Sequence, residues 1–178
     1  EKAAQHQQDV VQITPRRGDI MDRDGSVLAG SIEVDSVYAR PHEIKNRAAT
    51  AKTLSRIIGI PTSELNRKLD PAKTWVWIRR KISKSQRQAI ESAHLRGIGF
   101  KTEFLRVYPH RTMAAHVLGY VDVDEAGRSG LEGKYNELVR GEPGEILLLR
   151  DAHGKTYERE QAVPQVGANL TTTIDNSI

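Results

Sequence analysis

The 178-residue sequence has no cysteine, which excludes a disulfide framework and a thiolate metal site. It has no long apolar run either. The stretch Ile146-Leu147-Leu148-Leu149 is as long as any, far short of the roughly 20 residues a membrane-spanning helix needs. The patterns that mark chemistry are missing too: no GxSxG, SxxK or KTG occurs, and the Lys-Thr pairs at 52, 73, 101 and 155 are each followed by a residue other than glycine. Glycine-rich phosphate loops are absent. The six histidines, His6, His42, His94, His110, His116 and His153, include no i,i+4 pair and join no carboxylate group in a ligand pattern, so no metal and no cofactor is expected. No catalytic residue stands out.

What is present describes a polar mixed domain. Hydrophobic residues make up 38%, and 27 basic against 23 acidic residues give a net charge of +4. That balance permits an anionic partner such as nucleic acid, phospholipid or wall polymer without requiring one. A chain of this length supports one ordinary core or two small lobes, burying roughly 70% of its unfolded surface. It opens at Glu1 without an initiator Met, and Asp175-Asn176-Ser177 reads as a helix start with nothing behind it, so a piece of something longer is expected.

Period-2 alternation at Val10, Gln12 and Thr14, then around Ile20-Met21 and Val27 to Ala39, predicts β-hairpins, with Asp24-Gly25 as a left-handed turn. From Asn46 the period becomes helical, ends at Gly59 with Pro61 beyond, and restarts at Thr62 or Ser63. Trp75, Trp77 and Arg79 are assigned to one face of a strand, and Val76, Ile78 and Arg80 to the other. Ser83 and Gln86 then form a capping box opening a helix to about His94. A strand from Phe100 to Val107 follows. Farther on, the pattern predicts a short helix from Thr112 to Val117 and a helix from Leu131 to Val139. A hairpin across Asp151 to Gly154 and a last strand from Asn169 to Ile174 complete it. The fold class is α+β: an elongated module of β-hairpins and small sheets, residues 1–40 and 106–178, with a helical head lobe at 41–105.

The stretch RRGDIMDRDG, Arg16 to Gly25, admits three readings. An adhesion tripeptide at Arg17-Gly18-Asp19 needs a free loop tip, whereas Ile20 follows at once and leads into a strand. A calcium loop fails on register, since Gly25 at its sixth position puts Ile20 and Ser31 where carboxylates belong. A structural turn is left. The run Trp75 to Arg87, with two aromatics and five cations, has the composition of a nucleic-acid-binding strip. Its aromatics precede its cations rather than interleaving with them, which favours a buried Trp face beside a solvated basic helix start.

Arg17-Gly18-Asp19-Ile20-Met21-Asp22-Arg23-Asp24-Gly25 fits RGxIxDRxG and resembles the first signature of the non-catalytic N-terminal module of class B penicillin-binding proteins. Two more signatures follow in order. Arg106-Val107-Tyr108-Pro109 with Ala114 to Tyr120 is similar to RxYPxG…AxxxLGY. Gly127 to Glu132 with Tyr135, Leu138, Gly141, Pro143 and Gly144 is similar to GxxGLExxYxxxLxGxPG. One departure is Arg111, where the family carries glycine.

The resemblance implies a pedestal, or dimerisation, domain that does no chemistry itself. In the parent protein it would stand between a membrane anchor and a D,D-transpeptidase domain that cross-links peptidoglycan. The close spacing of the first two signatures is more like the septal, cell-division type. Implied partners are the chain's own transpeptidase domain, division-complex and glycan-polymerising membrane proteins, or a second copy; nucleic acid is not expected, and contact with the membrane runs only through the anchor. The signature residues Arg17, Gly18, Asp22, Arg23, Gly25, Arg106, Tyr108, Pro109, Gly127, Gly130 and Glu132 read as an interdomain junction, with Arg17, Arg23 and Arg106 bridging Asp22 and Glu132. Trp77, Arg80 and Arg87 are the candidate partner contacts. The competing reading is a basic nucleic-acid-binding module built on Trp75 to Arg87.

Overall fold

The computed structural model describes residues 9–109, 115–150 and 156–175. The chain divides into two compact units: residues 1–32 with 106–178, and residues 33–105. The architecture is mixed α+β.

In the first unit, β1 (Asp9–Ile13), β6 (Gly144–Arg150) and β7 (Thr156–Ala162) form an antiparallel sheet in the order β1-β6-β7. The short β2 (Ile20–Met21) pairs antiparallel with the start of β3 (Val27–Ala39) and parallel with β8 (Leu170–Thr171). Asp24-Gly25 makes the turn between β2 and β3: Gly25 sits at φ +85°, and Asp22 Oδ1 accepts the amides of Asp24 and Ser26. An aspartate closing such a turn offers the backbone the partner that a sheet does not. The predicted helix from Leu131 to Val139 is two pieces, α5 (Gly130–Lys134) and α6 (Asn136–Val139), parted at Tyr135. Before them comes the one-turn α4 (Ala115–Leu118). Ile20, Leu28, Ala29 and Leu118 make a small apolar core, flanked by Tyr108, Leu131, Leu170 and Ile174.

The second unit is a sheet backed by helices. β4 (Val76–Ile82) and β5 (Ile98–Val107) both pair with β3. One side of the sheet packs on α1 (Arg47–Ile58), α2 (Thr62–Lys68) and α3 (Lys84–Ser92) through Val37, Ala39, Ile78, Ile82, Leu54, Ile58, Leu65 and Ile90. The helix ends follow their sequence signals. Asn46 caps α1, Gly59 closes it at φ +72°, and Ser83 and Gln86 make both bonds of the capping box.

The strand faces of β4 differ from the alternation. The register slips between Val37, paired with Arg79, and Tyr38, paired with Trp77, leaving Ile78 in a bulge. The extra residue swaps the arginines. Arg79 Nη1 donates to the Ile58 carbonyl at the end of α1, while Arg80 joins Trp77 on the opposite face.

Candidate functional site

Glu132 is the centre of the signature residues. Gly130 opens α5 at φ +59°, in a spot where a Cβ would lie 2.5 Å from both the Gly119 nitrogen and the Val117 oxygen. Only glycine fits there. The helix so placed carries Glu132 completely out of solvent. Its Oε2 accepts from Arg17 Nε at 2.7 Å and its Oε1 from Arg106 Nε at 2.7 Å, so one carboxylate holds two guanidinium groups, themselves buried. Further donors of each arginine go to backbone and neutral side chains, while Arg106 Nη2 is buried with no hydrogen-bond partner among the described residues. Arg17 reaches the carbonyls of Glu125 and Glu132 and the Asn136 amide oxygen; Arg106 reaches the Gly18 carbonyl and Ser31 Oγ.

Burying three charges is costly unless the geometry and the hydrogen bonds are good. Here the planar fork of arginine supplies that geometry, which a lysine would not. The glycines make room for it. A Cβ on Gly127 would stand 1.9 Å from the Glu132 oxygen, and one on Gly18 2.0 Å from the Ala168 oxygen. Tyr108 donates its hydroxyl to Glu132 Oε1 at 3.4 Å; burial first, and the Glu132 charge second, push its ionisation up to about 12. It stays a donor at any ordinary pH.

The network is smaller than the motif set. Asp22 is buried but holds its own turn, and Arg23, more than half exposed, pairs with Asp175. The expected bridge from an arginine to Asp22 is therefore not formed: backbone amides already fill the carboxylate's near oxygen. Gly25 belongs to that same turn. Pro109 is exposed. Arg111, the departure from the family pattern, lies outside the described residues, as does the hairpin tip at 151–154.

The three candidate contact residues fall on two faces of the second unit. Trp77 and Arg80 share the sheet face away from the helices, where Arg80 Cζ lies 5.6 Å from the Trp77 ring centroid and binds Glu103. Arg87 projects from α3, 2.8 Å from Asp35 and 4.3 Å over Phe100. The Asp35 hydrogen bond, against the desolvation, raises its already high ionisation further.

Sequence reasoning missed Asn136, which accepts from both Arg17 and the Gly127 amide, and Ser31, which accepts from Arg106. Asn136 lies inside the third signature, next to Tyr135, and that adjacency was the signal available. It also missed buried Glu103, whose carboxylate takes Arg80 and the Ser36 hydroxyl; an acid in mid-strand looks like a solvent-facing residue.

The Penicillin-binding Protein dimerisation domain family matches residues 12–172. The chain belongs to that family. Among its relatives is the probable peptidoglycan D,D-transpeptidase PenA of Neisseria meningitidis, 31% identical over 169 residues, which cover 91% of this chain and 29% of the relative. Another is the peptidoglycan D,D-transpeptidase FtsI of Escherichia coli, 28% identical over 177 residues, or 95% of this chain and 30% of the relative.

A crystal structure of a peptidoglycan synthetase from Bifidobacterium adolescentis superposes at a TM-score of 0.61 with 26% identity, covering 95% of this chain and 37% of that one. Penicillin-binding protein PBP2 of Helicobacter pylori, solved in complex with MreC, superposes at 0.66 with 18% identity, covering 92% and 36%, and shows the shared fold. This dimerisation domain thus spans about three-tenths of the length of the curated relatives it matches. Among the described residues no helix is long and apolar enough to cross a membrane.

Proposed function

We propose that this dimerisation domain is the non-catalytic pedestal of a D,D-transpeptidase acting outside the cytoplasm in peptidoglycan synthesis and cell division. Its work is to position a transpeptidase domain and to carry protein contacts. The buried Arg17–Glu132–Arg106 arrangement is the observation behind this reading. It ties the loop before β2, the end of β5 and helix α5 to one carboxylate, with every bond oriented and no water needed between them. Such a site is mechanical: its groups are bound to one another, are buried, and present no face to a substrate.

The segment that would lead into a following domain is fastened to the same region. Leu170 and Thr172 donate their amides to the Asp19 and Met21 carbonyls, and Arg23 donates its amide to the Ile174 carbonyl. A domain joined there inherits its direction from β2. Protein contacts are assigned to the second unit at Trp77, Arg80 and Arg87, with division-complex subunits, a glycan-polymerising membrane protein or a second copy as partners. PBP2 of Helicobacter pylori, which shares the fold, was solved in complex with MreC, and this supports a protein partner as such.

The nucleic-acid reading is disfavoured by the charges of the strip itself. Arg79 is bound to a carbonyl, Arg80 to Glu103, and Arg87 to Asp35, so the strip offers few cations to phosphates. The test is to express the chain extended through its native reading frame and label it with a fluorescent penicillin beside the 178-residue form. Labelling of the extended form alone supports the reading; a folded extended form that takes no label overturns it.

A further inference from the structure

We infer that the outer side of helix α1 is the docking site for an acidic helix of a protein partner. The inference rests on the pedestal reading in taking the partner to be a protein, and on the distribution of charge for the site.

The charge of the chain is unevenly divided. Residues 33–105 carry fifteen Lys and Arg against seven Asp and Glu, a net +8, whereas the remaining residues carry twelve against sixteen, a net −4. A surplus confined to one unit marks a surface for an anionic partner. Most acids of that unit are taken within it. Glu43 pairs with Arg40, Glu64 with Lys68, Glu103 with Arg80, and Asp35 and Glu91 with Arg87. Arg80 and Arg87 therefore meet a partner already paired.

Helix α1 is different. Its twelve residues, RAATAKTLSRII, hold three cations and no acid, and Lys45 stands just before the Asn46 cap. Lys45, Arg47, Lys52 and Arg56 are all exposed, and none of them forms an ion pair among the described residues. Arg47 occupies the first turn, where the helix dipole disfavours a cation, and no acid in that turn offsets it. A cation kept against the local preference, with no internal partner, is placed for an external one. Thr50, Ala51, Leu54 and Ile58 are buried, and on the side away from them Ala49, Lys52 and Arg56 follow one another at i, i+3 and i+7. From Arg47 to Arg56 the row runs about 14 Å, roughly two and a half turns.

This geometry selects among anions. A membrane surface takes up a helix through apolar side chains that insert, and the larger ones of α1, Leu54, Ile57 and Ile58, pack into the core. Single-stranded nucleic acid would look for rings beside the cations, and α1 has none. A facing helix with carboxylates three and four residues apart repeats at the spacing of Lys52 and Arg56. Ala49 leaves room for its backbone to come close.

The experiment titrates a fluorescein-labelled, alanine-based helical peptide with glutamates at i,i+4 spacing with the 178-residue chain, reading anisotropy. Saturable binding that weakens with salt is expected. Lys52→Glu with Arg56→Glu should weaken it about tenfold, and the milder Lys52→Gln with Arg56→Gln should weaken it less, in the same direction. Lys73→Glu with Lys84→Glu makes the same change in net charge on exposed cations outside α1 and should keep most of the affinity. Circular dichroism verifies that the variants are folded.

No saturable binding, or an equal loss in both charge-reversed variants, would overturn the site. Equal binding of a proline-interrupted peptide of the same charge would overturn the helical partner. Tighter binding to phosphatidylglycerol vesicles would replace it with a membrane, and self-association abolished by the α1 reversal would replace it with a second copy. None of these touches the pedestal reading, which stands or falls on penicillin labelling.

Discussion

The two units solve the same problem with different materials. Among the described residues, the second clusters eleven buried apolar side chains between sheet and helices, whereas the first clusters four, with Val139 buried apart from them, and has a fully enclosed Arg–Glu–Arg arrangement. An apolar core tolerates small errors of angle, because hydrophobic burial has no direction. A buried carboxylate shared by two guanidinium groups does not. The first unit is therefore built for orientation, at the expense of tolerance, and the signature glycines are part of that same demand for close backbone approach. The second unit keeps most of its charged residues nearer the surface; its buried carboxylate, Glu103, binds the partly exposed Arg80 and the Ser36 hydroxyl.

The sharpest way to break this contrast is to remove the shared anion. Glu132→Ala leaves two buried guanidinium groups without their partner and should cost about 3–5 kcal/mol, measured by urea unfolding at neutral pH. A loss below about 1 kcal/mol would mean the network is ornamental. Arg17→Lys keeps the charge and loses the fork that reaches Glu132, Glu125 and Asn136 together; about 2–4 kcal/mol is expected, from the unmade hydrogen bonds of a buried site. A fully stable lysine variant would show that charge alone suffices.

In the second unit the corresponding change is milder. Glu103→Gln should cost about 1–2 kcal/mol in the same assay, since Arg80 keeps access to solvent. Its pH dependence has a definite sign. Burial alone would raise the Glu103 ionisation, but the hydrogen bonds from Arg80 and Ser36 outweigh it and leave it below the ordinary value of 4.5. The stability it supplies is therefore complete above that ordinary value and is lost as pH falls through the lowered native one. Acid unfolding of Glu103→Gln should lack that component, and a parallel acid limb in wild type and variant would contradict the assignment. Smallest of all, Arg23→Ala, an exposed pair with Asp175, should change stability by less than about 1 kcal/mol.

Much of this was written in local sequence. Asn46, Gly59, Ser83 and Gln86 name the ends of their helices, and Asp24-Gly25 names its turn, because each acts on residues within four positions. The signature order identified the family and pointed at Glu132. Long-range pairing was not legible in the same way: nothing near Ile20 announces that β8, 150 residues on, will lie parallel to it. The bulge at Ile78 was hidden too, since a register slip depends on the partner strand; it moved Arg80 to the Trp77 face and Arg79 away from it. Asp22 shows a third limit. A carboxylate beside arginines in the motif looks like half of an ion pair, yet two amides of its own turn take its near oxygen first.

The central claim is that the first unit depends on one buried carboxylate while the second does not. Hydrogen exchange on Glu132→Gln, read segment by segment, tests it directly. The account predicts that protection falls in β2, α5 and α6 and is retained in α1 and β4. Equal loss across both units, or full protection throughout, would contradict it.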